Sequence, residues 1–245
     1  MPKFFVNKEQ IAKQITILGE DAKHIKKVLR KKEGEKLTVC DGDGIDYICC
    51  INCFEQNKVI ADIIEKRDCE SEPSIKITLF QGLPKADKME LIIQKCIELG
   101  VDSIVPVATE RSIVKLDNKE HKKLERWQKI AESAAKQSGR GKIPRINNIL
   151  SFEQALQKSK ELDGVMIPYE KEQKRNLKEF IKNFRGKSIG VFIGAEGGFS
   201  EQEIAQAIEQ NIVPITLGKR ILRTETAGMI TTAILIYEME QGDNI

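Results

Sequence analysis

Histidine is scarce in this chain: only His24 and His121 occur among 245 residues, which gives no support to a histidine-held metal. A second CxxC is also missing, so Cys50-x-x-Cys53 is half of a zinc site without its other half. No run approaches the ~18 apolar residues that cross a bilayer. Met1–Val6 is too short for the apolar region of a signal peptide. A cytoplasmic protein, with neither membrane nor metal as partner, is therefore expected. An excess of one charge sign is absent too. Lys+Arg 40 against Asp+Glu 37 leaves +3, so any nucleic-acid binding has to come from local patches. Two glycine fingerprints do not occur. The absence of GxGxxG disfavours a nicotinamide-dependent oxidoreductase, and the absence of GxxxxGK[ST] removes a nucleoside-triphosphate loop.

What is present is the composition of a globular protein, 40% apolar and 31% charged, long enough for one large domain or two modest ones. Six cysteines in a chain of this size read as reduced thiols. Four of them (Cys40, Cys49, Cys50, Cys53) lie in or beside a β-rich run, where a small apolar thiol is an ordinary strand residue. Residues 1–71 read as a small β-barrel-like or sandwich-like module with one helix. Its strands fall near Phe4–Val6, Lys36–Cys40, Tyr47–Cys53 and Lys58–Ile64, with a turn at Asp41-Gly-Asp-Gly44. Beyond a polar stretch ending in Pro73, residues 72–245 alternate strands and helices, the pattern of a parallel α/β sheet.

Within that second region Asp87 and Glu90 offer a capping box for a helix ending at Gly100, and Ser200 and Glu203 offer another. A long helix is expected from about Asn118 to Ser138, with Trp127 on its core face. The last helix, from about Thr224 to Glu240, is apolar almost all round and suits a core or a subunit interface. Ligands of parallel sheets bind beyond the carboxyl ends of the strands, so the loops after Pro168, Ile193 and Leu217 are where a site belongs.

Two of those loops are unusual. Val191-Phe-Ile-Gly-Ala-Glu-Gly-Gly-Phe-Ser200 carries three glycines in five positions between a buried strand and a capped helix, which suits close backbone approach to a ligand. Leu217-Gly-Lys-Arg-Ile-Leu-Arg-Thr-Glu-Thr-Ala-Gly228 again follows a strand and opens a helix, bringing backbone N–H groups and Arg223 together. The bland alternative for the second is a surface helix start with solvated charges.

These two segments resemble the cofactor loops of SPOUT-class methyltransferases. The whole chain resembles the bacterial 16S ribosomal RNA uridine N3-methyltransferase family within that class. Gly82–Glu90 (GLPKADKME), Lys95–Gly100 (KCIELG), Thr109–Lys115 (TERSIVK), Gln137–Arg140 (QSGR) and His24 with Val28-Leu29-Arg30 carry the resemblance further. It implies a PUA-like RNA-binding barrel followed by a trefoil-knotted α/β domain, and a homodimer with its sites at the interface. It implies S-adenosyl-L-methionine as cofactor, held by Tyr169, Ile193, Gly194, Glu196, Gly197, Gly198, Leu217, Gly218, Ile221, Leu222, Arg223, Thr226 and Ala227. The RNA partner it implies is 16S ribosomal RNA or the small ribosomal subunit, with Lys3, Lys23, His24, Lys27, Arg30, Arg111 and Arg140 as expected contacts. Lys3 stands where the family is expected to have arginine, which keeps the charge but loses the bidentate fork.

Uridine N3 bears a proton, and the anion left by its loss spreads charge onto the flanking carbonyl oxygens. A fixed guanidinium such as Arg223 would stabilise that charge as it develops. Glu196 and Glu225 are both candidates for the base. For RNA, Lys23–Lys32 holds six Lys/Arg and no acid. A helical wheel puts Ile25, Val28 and Leu29 on one face and Lys23, Lys26, Lys27 and Arg30 on the other. Arg111, Arg140 and Arg145 form a second basic set. The rival readings are the same class with another target, a transfer RNA or a ribose 2′-hydroxyl, and a non-catalytic RNA-binding protein on the same fold.

Overall fold

In the computed structural model, which describes residues 3–112 and 120–240, the chain divides into two compact units. The first comprises Met1–Glu72 with Ala135–Ile143, the second Pro73–Ala134 with Pro144–Ile245. The boundary expected at residue 71 puts 135–143 in the second domain; in the structure that segment groups with the first unit.

The first unit is a curled five-stranded sheet in the order β1-β3-β4-β5-β2. Its strands are β1 (Lys3–Phe5), β2 (Gln14–Leu18), β3 (Lys36–Cys40), β4 (Ile45–Phe54) and β5 (Lys58–Asp68). β1 runs parallel to β3 and the other pairs are antiparallel. Alternation does what period two requires: Ile15 and Ile17 of β2, and Val59 and Ala61 of β5, point inward to Leu37, Val39 and Ile51. Each fully buried Ile, Leu or Val among them contributes about 1.5–3 kcal/mol. Irregularities in the β4–β5 register at Ile48/Cys49 and Ile51/Cys53 bend the sheet around that core.

The helix of this unit differs from the helical wheel expected for it. α1 (Gly19–Lys23) passes into a π-helical turn, His24–Val28, in which Leu29 N–H donates to His24 O at 2.9 Å. The wider turn changes which residues share a face. Ile25 is buried and Leu29 packs on the core, but Val28 turns outward and is 69% exposed.

The second unit is an all-parallel seven-stranded sheet. β6 (Lys76–Gly82) leads through α2 (Lys88–Glu98) to β7 (Ser103–Ala108), and α3 (Glu120–Gln137) through β8 (Arg145–Ile146) to β9 (Leu150–Ser151). Then come α4 (Phe152–Ser159), β10 (Gly164–Pro168), α5 (Leu177–Asn183), β11 (Ser188–Ile193), α6 (Glu201–Glu209), β12 (Val213–Ile215) and α7 (Thr224–Glu240). The order is β12-β10-β11-β6-β7-β8, with β9 pairing β7. β6 and β11 are central and covered on both faces, which is why they read as continuous apolar runs. Phe80 and Phe192 stack across that pair with centroids 4.3 Å apart.

Trp127 is buried, as its helical spacing predicts. The start of the long helix expected at Asn118 lies outside the described residues, as does the Ile113–Lys115 end of the TERSIVK segment. The Ser200/Glu203 capping box forms in both directions, at 2.9 and 3.2 Å. The Asp87/Glu90 box does not: Asp87 makes no side-chain cap bond, and Glu90 pairs with Arg126 at 2.8 Å. α7 buries Gly228, Thr231, Thr232 and Leu235, while Ile230, Ile234 and Tyr237 are exposed at 38%, 39% and 61%. Among the described residues no helix is long and apolar enough to cross a membrane.

Candidate functional site

The carboxyl ends of β10, β11 and β12 release three loops that line one cavity of about 500 Å³ in the second unit, within the usual size of small-molecule sites. Pro168-Tyr169-Glu170 forms one wall, Ile193–Phe199 the second and Thr216–Thr224 the third. Tyr169 N–H donates to Ile215 O at 2.9 Å, so the first wall is fixed to the strand that leads into the third.

The glycines of the second wall are there for closeness. Gly198 N–H donates to Ala195 O at 3.0 Å in a tight turn whose last residue has φ +64°, where a Cβ is strained. A Cβ on Gly194 would stand 3.0 Å from the Gly198 backbone, and one on Gly82, at the end of β6, would stand 2.6 Å from Ala195 N. The loop can therefore lie against its own far end and against β6 only with bare backbone at both places. The remaining polar groups are tied down. Thr224 Oγ1 donates to Gly194 O at 2.6 Å and accepts from Gln81 Nε2 at 2.9 Å, joining the third wall to the second and to β6. Arg111 donates to Gly197 O at 2.9 Å.

Charge on the rim is arranged asymmetrically. Glu196 accepts from Lys85 N–H at 3.2 and 3.3 Å and from Lys88 Nζ at 2.9 Å. Burial alone would push its carboxyl up, but the Lys88 ammonium and the backbone N–H groups of Glu196 and Lys85 outweigh it and hold the group below the ordinary carboxylate range. Lys88 in turn is raised, chiefly by that hydrogen bond. Its ammonium also lies 3.7 Å from Glu225 Oε2, a buried oxygen with no hydrogen-bond partner. That separation is within ion-pair reach but too long for a hydrogen bond. Arg223 is exposed on the cavity wall with no ion-pair partner among the described residues.

Of the residues expected to hold a cofactor, Tyr169, Ile193, Gly194, Glu196, Gly197, Gly198, Leu217, Gly218, Ile221, Leu222, Arg223 and Ala227 line this cavity; Thr226 does not. Glu225, expected beside Glu196 as a base, is also off the wall. Thr226 and Glu225 follow Thr224 within the first turn of α7, and a helix turns successive side chains to different sides. Lys88, Thr216, Lys219, Arg220 and Thr224 line the cavity without having been singled out as site residues. Lys88 had a signal in the sequence, since it stands in the Gly82–Glu90 segment directly after a buried strand.

The expected RNA contacts divide. Lys23, His24, Lys27 and Arg30 are exposed on and just after α1 and the π-turn, with Lys23 paired to Glu20 at 2.6 Å and the His24 ring edge-on to Phe4. Lys3 and Arg140 are not at the surface. Lys3 Nζ is 2.9 Å from Asp46 with both side chains under a tenth exposed, and Arg140, 4% exposed, pairs with Glu72 at 2.7 Å. Either cation would have to break a buried pair to reach a phosphate. Arg111 is exposed, but its guanidinium is engaged with the glycine loop.

The sequence matches the model of an RNA methyltransferase domain over residues 70–236 and that of an RNA methyltransferase PUA domain over residues 17–52. It is 38% identical to the ribosomal RNA small subunit methyltransferase E of Bacillus subtilis, the alignment covering 98% of each chain. To the protein of that name in Mesomycoplasma hyopneumoniae it is 35% identical, over 94% of this chain and 96% of the other. The crystal structure of the Neisseria gonorrhoeae ribosomal RNA small subunit methyltransferase E bound to S-adenosyl methionine superposes with TM-score 0.84 at 34% identity, over 96% of each chain.

Proposed function

The chain belongs to the ribosomal RNA small subunit methyltransferase E family, and from that premise we propose that it methylates N3 of a uridine in 16S ribosomal RNA with S-adenosylmethionine as donor. The observation that carries this reading is a guanidinium, Arg223, with no ion-pair partner among the described residues, on the wall of a cavity lined by bare glycine backbone.

The residues present fit the cofactor. Gly194, Gly197 and Gly198 give a wall of bare backbone whose turn a side chain at 194 would push apart, and Ile193, Leu217, Leu222 and Ala227 supply apolar wall for a flat, partly apolar nucleoside. Bound there, S-adenosylmethionine supplies an electrophilic methyl group and a positive sulfonium. Arg223 stabilises the charge that spreads onto the uridine carbonyl oxygens as N3 loses its proton. The Thr224 and Gln81 hydrogen bonds keep the two loops in fixed register, so little reorganisation is needed at the moment of transfer. Glu196 is committed to Lys88 and to the Lys85 N–H, and Glu225 lies off the cavity wall within ion-pair reach of the same ammonium.

The first unit presents Lys23, Lys27 and Arg30 for phosphates in this reading. Ile230, Ile234 and Tyr237 on α7 suit a homodimer contact, since three large apolar residues on one helix form a patch that water does not favour. The reading also includes the trefoil knot and a cytoplasmic location. β11 lies between β6 and β10, and the chain leaving β12 returns at Thr224 to bond with Gly194 and Gln81, a path in keeping with a threaded C-terminus.

The test is methyl transfer from labelled S-adenosylmethionine to small ribosomal subunits that lack the modification, with the modified atom located by mass spectrometry. Incorporation at uridine N3 is expected. Absence of transfer to subunits and to their free RNA would sink the enzymatic claim, and methyl on a ribose oxygen would move the target.

A further inference from the structure

We propose that Lys88 is a positioning residue for methyl transfer: its ammonium neutralises Glu196 and Glu225 together and so leaves Arg223 free to face the substrate. The inference rests on the reading of the site as an RNA methyltransferase. Three pocket-building elements meet at this one cation, because Lys88 is the first residue of α2, Glu196 lies in the loop after β11 and Glu225 is in the first turn of α7. Two carboxylates near one site repel each other, and a cation between them offsets that repulsion. Here the counter-charge is 2.9 Å from one and 3.7 Å from the other, and the more distant oxygen is buried with no other partner. The remaining charged group acting on Lys88 is Arg223, which repels it. If Lys88 is removed, two negative groups are left beside an unpaired guanidinium. Arg223 then turns toward them and away from the cavity, which lowers turnover while leaving the glycine loop intact. Isolated surface ion pairs contribute little; this one differs in sharing a half-buried cation between two acids.

The deciding measurements use the whole protein. NMR of 13C-labelled glutamate, with Glu196 and Glu225 assigned through E196Q and E225Q, follows both carboxyls against pH in wild type, K88R and K88M. In K88M the Glu196 carboxyl is expected to titrate higher than in wild type, with K88R close to wild type. Turnover in K88M should fall about tenfold, through the displaced Arg223, while cofactor affinity by calorimetry is retained. Restoring the positive charge in K88R should recover most of the turnover, which a role for Lys88 in side-chain bulk alone would not allow. Carboxyl titrations unmoved by K88M, or turnover equal to wild type, would overturn the proposal. K88Q gives the same comparison should K88M fail to fold, with the same expected shift and the same refuting result. Because the titrations need no RNA, failure of the functional reading would show separately, as a wild-type protein that transfers no methyl group.

Discussion

Arg140 and Arg223 look alike in the sequence, each a basic residue in a segment shared with the family, and the fold gives them opposite surroundings. Arg140 is enclosed in the first unit, where Glu72 takes its guanidinium and also accepts from Gly141 N–H at 2.8 Å and Lys142 N–H at 3.0 Å. Cys40 Sγ donates to Gly141 O, and Ser71 Oγ to Gly139 O at 2.6 Å, so the whole 139–142 turn is clamped by side chains. Arg223 stands at the edge of a cavity whose walls are mostly backbone and apolar surface. One region uses charge to hold a turn in place and the other keeps a charge available. An arginine is held where a carboxylate meets it and free where the nearby carboxylates already have a cation.

The sharpest way to break the comparison is to remove the buried charge. Arg140→Met strands Glu72 and should cost about 3–5 kcal/mol, read as a large fall in the denaturation midpoint. A midpoint unchanged within error would mean that the pair holds nothing. Arg223→Ala should do the reverse, lowering turnover on the order of 10²–10³-fold with the midpoint kept. A variant that unfolds, or one that turns over normally, removes Arg223 from the role assigned to it. Gly194→Ala tests the backbone cradle. Its Cβ meets main chain rather than a pliable side chain, so the loop has to shift at about 1–3 kcal/mol, seen as weaker cofactor binding in calorimetry. Unaltered affinity would argue that the loop has slack.

Acid is the mildest perturbation. Glu72 is held below the ordinary carboxylate range: burial opposes this, and Arg140 with the two backbone N–H groups outweighs it. A depressed folded value means that its contribution is complete above the unfolded carboxyl value of about 4.3 and is lost as pH falls through the folded value. In Glu72→Gln that part of the acid-side loss should disappear from a stability-against-pH curve, and an unchanged curve would assign it to other carboxyls.

Much of the fold was legible because it is written in local periods. The apolar runs of β6 and β11, the Ser200/Glu203 box and the core position of Trp127 need only the chemistry of near neighbours. The two cofactor loops were legible for a related reason. Three glycines packed between a buried strand and a capping box give the backbone a freedom that only close approach requires. The π-turn was not legible, because one extra residue in a turn moves Val28 outward without leaving a trace in composition. Nor was the grouping of Ala135–Ile143 with the first unit, which depends on Glu72, Ser71 and Cys40 meeting residues some 70 to 100 positions away.

The sequence by itself determined the class of fold, the loops that form the cavity and, by resemblance, the family of reaction. Only tertiary structure decided which charges are free. A cation's role is set by the nearest carboxylate in space, and Lys88 with Glu196, 108 residues apart, or Arg140 with Glu72, 68 apart, become neighbours only when the chain has folded.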